Sequence, residues 1–293
     1  MNISLLFGFL LFIQQVGVPD QVIIIHNGKM VSSMDRSEFF VPFTNLPIMD
    51  IQKFEAYLTK LDQLVYKEPI NAAIDFKGNI IPEQLGSRLY RQAFTEKVFA
   101  FYFRDGPSQI EIPVLPIYPK VDSELLGHIR SKRIGRYITS FNAHNKTRTK
   151  NIHLAAKAIN NVVVFPGETF SFNKIVGKRT AAKGYLRAPV IIRGEFSEDI
   201  GGGICQVSST LFNAVDNAGL KIVQRFSHSR KVPYIPPGRD ATVSWYGPDF
   251  VFKNTYNQPV LIQAKTLGNY LVIKLFSSDV VEYQPKKIPT LSF

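Results

Sequence analysis

The sequence predicts an α+β protein of two modules, a small α+β module followed by a mixed α/β domain that ends in a β-meander. Of its 293 residues, 45% are hydrophobic and 20% are charged, which is typical of a chain that folds around a core. Apolar residues recur at helical spacing in some segments and alternate in others, so both helices and strands are expected. Prolines within residues 109–118 mark the end of the first module and separate its elements from those of the second.

The first module covers residues 48–120. Ile51, Phe54, Leu58, Leu61 and Val65 share one helical face behind Asp50, a residue type that caps helix N-termini. The remaining predicted elements are a hairpin over 70–82 with a turn at Gly78-Asn79, a helix over Leu85–Phe101 and an edge strand over 109–118.

The second module begins with a short helix over Glu124–Arg130. The basic residues 130–136 are predicted as a linker and Asn145–Arg148 as a polar loop. The other predicted elements are a strand over 137–141, a helix over 151–160, a helix from Cys205 to Ala218 that Gly219 ends, strands over 190–192, 220–226 and 241–245, and a β-meander over 250–276.

The net charge of +12 favours polyanionic partners. The chain carries no RNA-binding aromatic box, zinc-finger spacing or helix-turn-helix signature, so nucleic acid is not predicted. Anionic cell-wall polymers and anionic lipids carry the opposite charge and remain candidate partners.

Residues 1–18 are the feature that indicates export. The apolar run Ile3–Val18 matches the core of a secretory signal and is short for a membrane span of about 20 residues. We expect it to be either removed or kept as a membrane anchor, and a buried first element is the alternative. The single cysteine is compatible with export. It cannot form an internal disulfide, so we expect a free thiol.

That cysteine, Cys205, follows three glycines and opens an apolar, helix-like run that ends near Ala214. A helix N-terminus lowers the pKa of a thiol, and the thiolate is the nucleophilic form. We therefore predict a candidate nucleophile whose neighbouring amides, exposed by Gly202 and Gly203, stabilise an oxyanion.

Two downstream residues complete a candidate triad. His228 follows the strand after the cysteine helix and serves as the base, while Asp240 orients its imidazole. The chain order matches that of papain-like and NlpC/P60-like thiol peptidases. The His-Gly-Cys element of L,D-transpeptidases is absent, because Ile204 precedes Cys205. A structural thiol beside an ordinary histidine is the competing interpretation, and a metal site built from these three side chains is a weaker one.

Residues 135–265 contain an ordered series of residues and short motifs: Asn151-Ile152, Ala155-Ala156, Pro166–Asn173, Gly177, Arg179-Thr180, Gly184-Tyr185, Gly201–Ser209, Leu211, Arg225, His228-Ser229, Val232, Tyr234, Pro237-Gly238, Asp240-Ala241 and Asn254. With this series the second module closely resembles the VanW family over residues 135–265. Residues 48–120 resemble the peptidoglycan-binding-like domain that precedes VanW domains in Gram-positive bacteria. Residues 266–293 then form a last strand and a tail.

The resemblance implies an extracytoplasmic, cell-wall-associated protein, but no established reaction. We expect it to bind or modify peptidoglycan, by thiol-dependent hydrolysis or transfer at a stem-peptide amide, during wall maintenance or the response to glycopeptides. The alternative is a non-catalytic wall-binding scaffold or an accessory protein of envelope enzymes. No cofactor or metal is predicted. Besides the triad, the predicted binding residues are Gly202, Gly203, Gln206, Arg225, Glu168 and Asn173.

Overall fold

The computed structural model describes residues 21–35, 37–39, 48–103, 106, 108–192 and 195–290. These residues form two compact units, and the predicted export segment 1–18 lies outside them. One unit contains the described residues up to Ile70 together with Gln84–Pro119, and the other contains Asn71–Glu83 and the described residues from Lys120 onward.

Helices and short sheets make the structure α+β, as the sequence predicts. In chain order the elements are β1 (Gln21–His26), β2 (Lys29–Asp35), α1 (Ile51–Val65), β3 (Ala73–Ile74), β4 (Ile80–Ile81), β5 (Gly86–Leu89), α2 (Arg91–Phe103), β6 (Gln109–Glu111), β7 (Val114–Ile117), α3 (Ser123–Ile129), β8 (Lys132–Ser140), α4 (Lys146–Ile159), β9 (Val163–Val164), β10 (Thr169–Ser171), α5 (Phe172–Val176), a 3₁₀ turn (Ala181–Lys183), β11 (Arg187–Ile192), β12 (Glu195–Ile200), α6 (Ile204–Asn217), β13 (Lys221–Gln224), β14 (Val251–Lys253), β15 (Val260–Leu267) and β16 (Tyr270–Ser277).

The first unit places helices α1 and α2 with a three-stranded sheet of order β2-β1-β6 and a β5-β7 pair. The Asp50 side chain caps α1 by accepting from the Lys53 amide, as predicted. Phe54, Leu58, Leu61 and Val65 are buried, but Ile51 is exposed at the end of the predicted stripe. The predicted helix and its cap are therefore confirmed, and only the predicted burial of Ile51 is wrong.

The predicted helix over Leu85–Phe101 is wrong in its first part. Residues Gly86–Leu89 form strand β5, and α2 begins at Arg91. The Ser87 backbone exchanges hydrogen bonds with that of Lys67, and β5 pairs with β7. Tertiary pairing thus overrides a helix-like pattern of residues.

The second unit is built on an antiparallel four-stranded sheet of order β8-β16-β15-β9, with α6 against β8 and α4 against β15. The predicted basic linker is wrong, because Lys132–Arg136 belong to β8 and pair with β16. The predicted loop at Asn145–Arg148 is also wrong. Asn145 is the N-cap of α4, and its side chain accepts from the Arg148 amide.

The predicted meander is only partly correct. Strands β15 and β16 form an antiparallel hairpin, but β14 lies in a separate sheet between β10 and β13. The predicted strand over Ala241–Trp245 is wrong, since this segment is irregular. Its backbone is held by side chains of α6 instead of by a neighbouring strand.

The core of the second unit surrounds α6 with fully buried residues of the sheet and of α4. This core contains Val207 and Leu211 of α6, Ile152 of α4, and Leu271 and Ile273 of β16. Among the residues that the structure describes, no helix combines the length and apolarity needed to cross a membrane.

Candidate functional site

Helix α6 is the element that positions the cysteine, and it is buried on nearly every side. It starts at Ile204, directly after Gly203, whose φ of 103° only glycine adopts readily. Gly201 has a φ of 99° as well. The glycines therefore turn the chain sharply and place Cys205 in the first turn of the helix.

The space beside these glycines is filled by the protein itself. A Cβ at Gly202 would lie 2.6 Å from the carbonyl oxygens of Ala188 and Pro189. A Cβ at Gly203 would lie 2.9 Å from Cγ of Arg148. The sequence predicted that these glycines open the loop to another molecule. Instead, they allow β11 and an arginine of α4 to approach the start of α6.

Cys205, His228 and Asp240 converge as the sequence predicts. Asp240 Oδ2 accepts hydrogen bonds from both the backbone N–H and Nδ1 of His228, each at 2.6 Å. The Cys205 thiol lies close enough to the imidazole for each group to shift the pKa of the other. Because Asp240 occupies Nδ1, Nε2 is the nitrogen left to exchange a proton with Cys205.

The three groups shift one another's proton affinities. Burial raises the pKa of the Cys205 thiol, but the hydrogen bond and charge of His228 outweigh it, so this pKa is lowered overall. Burial lowers the pKa of His228, yet Cys205 and Asp240 raise it above its ordinary value. The arrangement therefore favours a thiolate beside an imidazolium, the nucleophilic form of cysteine.

Two further groups contact the sulfur. The Val243 carbonyl oxygen lies 3.5 Å from Cys205 Sγ and accepts from the thiol, and Thr242 Oγ1 lies at 3.6 Å. The segment that carries both is tied to α6: Ser208 Oγ donates to the Ala241 carbonyl, and Ser209 Oγ accepts from the Ala241 amide. The irregular chain after Asp240 is thereby fixed against the thiol.

Gln206 is fully buried and connects α6 to its neighbours. Its Oε1 accepts from Arg148 Nη2 at 2.8 Å, and its Nε2 donates to Thr139 Oγ1 and to the Ser140 carbonyl. The Arg148 guanidinium lies 5.9 Å from the centre of the Tyr234 ring. Gln206 therefore supports the helix and one arginine, and its own polar atoms are occupied within the protein.

The other predicted binding residues have structural partners. Arg225 Nη2 donates to the Gly238 carbonyl, beside the turn that leads to Asp240. Asn173 Nδ2 donates to the Ser244 and Pro248 carbonyls and so closes the loop after Val243. Glu168 accepts from the Phe165 amide and pairs with Lys120, with no contact to the triad.

A cavity of about 200 Å³ opens on the imidazole side of the site. His228 and Asp240 line it together with Ser229, Arg230 and Lys231. Two basic side chains in this lining favour an anionic or polar ligand. In the described part of the chain, no three His, Cys, Asp or Glu side chains are arranged to hold a metal ion.

Sequence reasoning missed Thr242, Val243 and Arg148 as neighbours of the thiol. Val243 acts through its carbonyl, which the sequence of side chains does not reveal. Arg148 was assigned to a loop, although Asn145 offered a capping signal that could have placed it on a helix.

The fold and site together define an α+β protein whose second unit carries a buried Cys-His-Asp constellation. The family described as VanW like protein matches residues 147–276. The chain is 54% identical to the uncharacterized protein YoaR of Bacillus subtilis over 285 residues, 97% of this chain and 94% of that protein. The chain therefore belongs to the VanW-like family.

A second relative is the vancomycin B-type resistance protein VanW of Enterococcus faecalis. It is 34% identical over 106 residues, which cover 34% of this chain and 38% of that protein. No solved structure is significantly similar to the chain. Neither the family match nor this second relative bears on the predicted wall-binding role of residues 48–120, which stays a prediction.

Proposed function

We propose that this protein is an extracytoplasmic cell-wall protein whose second unit catalyses thiol-dependent acyl transfer at an amide of the peptidoglycan stem peptide. Membership of the VanW-like family supports the cell-wall-related role, and one relative is named for vancomycin resistance. The observation that carries the reaction is the hydrogen-bonded His228–Asp240 pair beside the Cys205 thiol, whose pKa His228 lowers.

The reaction begins with the Cys205 thiolate and the His228 imidazolium. The sulfur attacks the amide carbonyl carbon, and the carbonyl oxygen becomes an oxyanion. In the first turn of α6, the Ile204 and Gln206 amides donate to Gly201 and Gly203. Among the described residues the Cys205 amide has no acceptor, so it is the group that receives the oxyanion.

The intermediate then collapses to a thioester. The carbon–nitrogen bond breaks, and His228 gives its proton to the departing amine. A water molecule or a second amine next attacks the thioester carbon and passes a proton to His228, and Cys205 leaves as a thiolate. Asp240 holds the imidazole in one orientation throughout and stabilises its charged form.

The test is incubation of purified peptidoglycan with the wild-type protein and with Cys205→Ala, with products identified by mass spectrometry. We expect cleaved or transferred stem peptides with the wild type only. Asp216→Asn is a matched control, because it changes another part-buried carboxylate of the second unit, leaves the triad intact and should give wild-type products. Equal products from both proteins, or no products, would reject the catalytic proposal.

The net charge of +12 supports a second candidate function. A non-catalytic protein of this charge would bind anionic wall polymers by long-range attraction. Such binding would be unaffected by Cys205→Ala and would weaken as salt concentration rises. Sedimentation with purified cell walls at low and high salt measures it directly.

A further inference from the structure

Two arginines flank the glycine loop that precedes Cys205, and only one of them has its hydrogen-bonding groups engaged. Arg148 packs its stem at Gly203 and donates to Gln206. Arg179 packs its Cβ and Cγ 3.5 Å from the Cβ position of Gly201, on the other side of the loop. Both guanidinium groups interact electrostatically with the Cys205 sulfur. The start of α6 is therefore enclosed by positive charge.

Both terminal nitrogens of Arg179 are buried, and neither has a hydrogen-bond acceptor among the described residues. The guanidinium lies 5.7 Å from the centre of the Phe172 ring, which gives it a neighbour but no acceptor. A buried charge without a partner is costly, and native proteins satisfy nearly all such groups. An arginine of this kind is suited to an anion that arrives with a ligand.

A carboxylate that acts electrostatically on Arg179 is already in use. Asp249 exerts an electrostatic effect on Arg179, but its oxygens accept hydrogen bonds from elsewhere. The donors to Asp249 are Ser171 Oγ and the amides of Asn173 and Phe250. No internal group among the described residues therefore supplies the two oxygens that the Arg179 fork can bind.

We propose that Arg179 is the subsite for a carboxylate that lies next to the scissile amide of the substrate. This inference rests on the proposed function and narrows its substrate to acyl donors with a free carboxylate close to the bond that Cys205 attacks. A guanidinium binds both oxygens of a carboxylate in a planar, bidentate arrangement, so it fixes direction as well as distance. The carbonyl carbon is thereby presented to the sulfur in one orientation.

The single cysteine allows a test that needs no natural substrate. Iodoacetate and iodoacetamide alkylate the same sulfur, but only iodoacetate carries a carboxylate. The ratio of their rate constants is measured by mass spectrometry on the folded protein and on the same chain in denaturant. We expect the ratio to be about tenfold higher in the folded protein, because a nearby cation attracts the anionic reagent where solvent screens it weakly.

Arg179→Gln and Arg179→Met should lower the ratio severalfold toward the denatured value, although Arg148 and the His228 imidazolium still attract the anionic reagent. The methionine variant retains an unbranched stem against Gly201 and so protects folding. Arg187→Gln is the matched control, because Arg187 is exposed on β11 and donates only to the Glu198 carbonyl. It should leave the ratio at the wild-type value.

Three results would overturn the subsite: no excess ratio in the folded wild type, an unchanged ratio in both Arg179 variants, or a parallel fall of both rates. The last would mean that Arg179 acts on the thiol pKa alone. Rapid alkylation by iodoacetamide at neutral pH alongside any of these results would leave the nucleophile proposal standing. If neither reagent alkylates Cys205 in the folded protein, both the carboxylate subsite and the proposed function are rejected.

Discussion

Replacing Asp240 by asparagine tests whether the carboxylate tunes the thiol or only supports the loop. Asp240 Oδ2 accepts two hydrogen bonds from His228 at 2.6 Å, and the two side chains are 9% and 7% exposed. Hydrogen bonds to a charged group contribute roughly 1.5–3 kcal/mol, about twice a neutral bond, and an asparagine oxygen at the Oδ2 position keeps both bonds but not the charge. We therefore expect Asp240→Asn to lower the free energy of unfolding by about 2 kcal/mol at pH 7.

The pH dependence of that loss has a definite sign. The pKa of Asp240 is lowered in the folded protein because the His228 bonds outweigh burial. Its contribution is therefore present above the pKa of the unfolded carboxyl and is lost as pH falls through the folded pKa. Urea unfolding at pH 7 and at pH 3 should show the stability difference shrinking at the lower pH.

The same substitution should raise the pKa of Cys205. The imidazolium loses the anion that stabilises it, so the pKa of His228 falls and the thiolate loses part of its support. Rates of iodoacetamide alkylation measured across pH should show their inflection at higher pH than in the wild type. Asp216→Asn, another part-buried carboxylate, serves as a control that should leave this inflection unchanged. A profile identical to the wild type would refute the electrostatic role of Asp240.

Two further predictions concern stability. Gly202→Ala should cost about 2 kcal/mol or more and slow alkylation of Cys205, because its Cβ meets two backbone oxygens at 2.6 Å. Gly238→Ala is the control: Gly238 has a φ of 76° and open space around it, so this change should lower the free energy of unfolding by only about 1 kcal/mol. Equal losses for the two variants in urea unfolding would contradict the packing argument. Asp216→Asn should cost about 1 kcal/mol at pH 7, since it loses an ion pair with Arg239 at 2.7 Å. Because Arg239 and Lys286 lower the pKa of Asp216 despite burial, this cost should disappear in urea unfolding at low pH, and a cost that persists there would argue against it.

The sequence predicted best where the signal is local. Asp50 caps α1, and Gly219 follows α6 with a φ of 77°. Each of these residues acts within one turn of its own helix, so no knowledge of distant segments is needed. Cys205, His228 and Asp240 were predicted as partners from residue type and chain order, and the structure brings them together.

Prediction failed where the partner is far away in the chain. The residues of Lys132–Arg136 carry a basic pattern typical of a linker, but pairing with β16 makes them a strand. Ala241–Trp245 has the composition of a strand, yet its backbone forms hydrogen bonds with the hydroxyls of Ser208 and Ser209. Strand identity depends on a neighbour and burial more than on the segment itself, and a single sequence does not show either.

The pairing of β8 with β16 has a consequence for how the protein is made. Ser140 pairs with Tyr270, so this strand pair joins segments that lie far apart along the second unit. Helix α6 packs against β8 and β16, and it therefore lacks much of its support until the last strand exists. Contacts so distant in sequence form slowly. The thiol is thus expected to remain exposed in the newly synthesised chain and to become the buried, imidazole-paired group only when the C-terminal hairpin has docked.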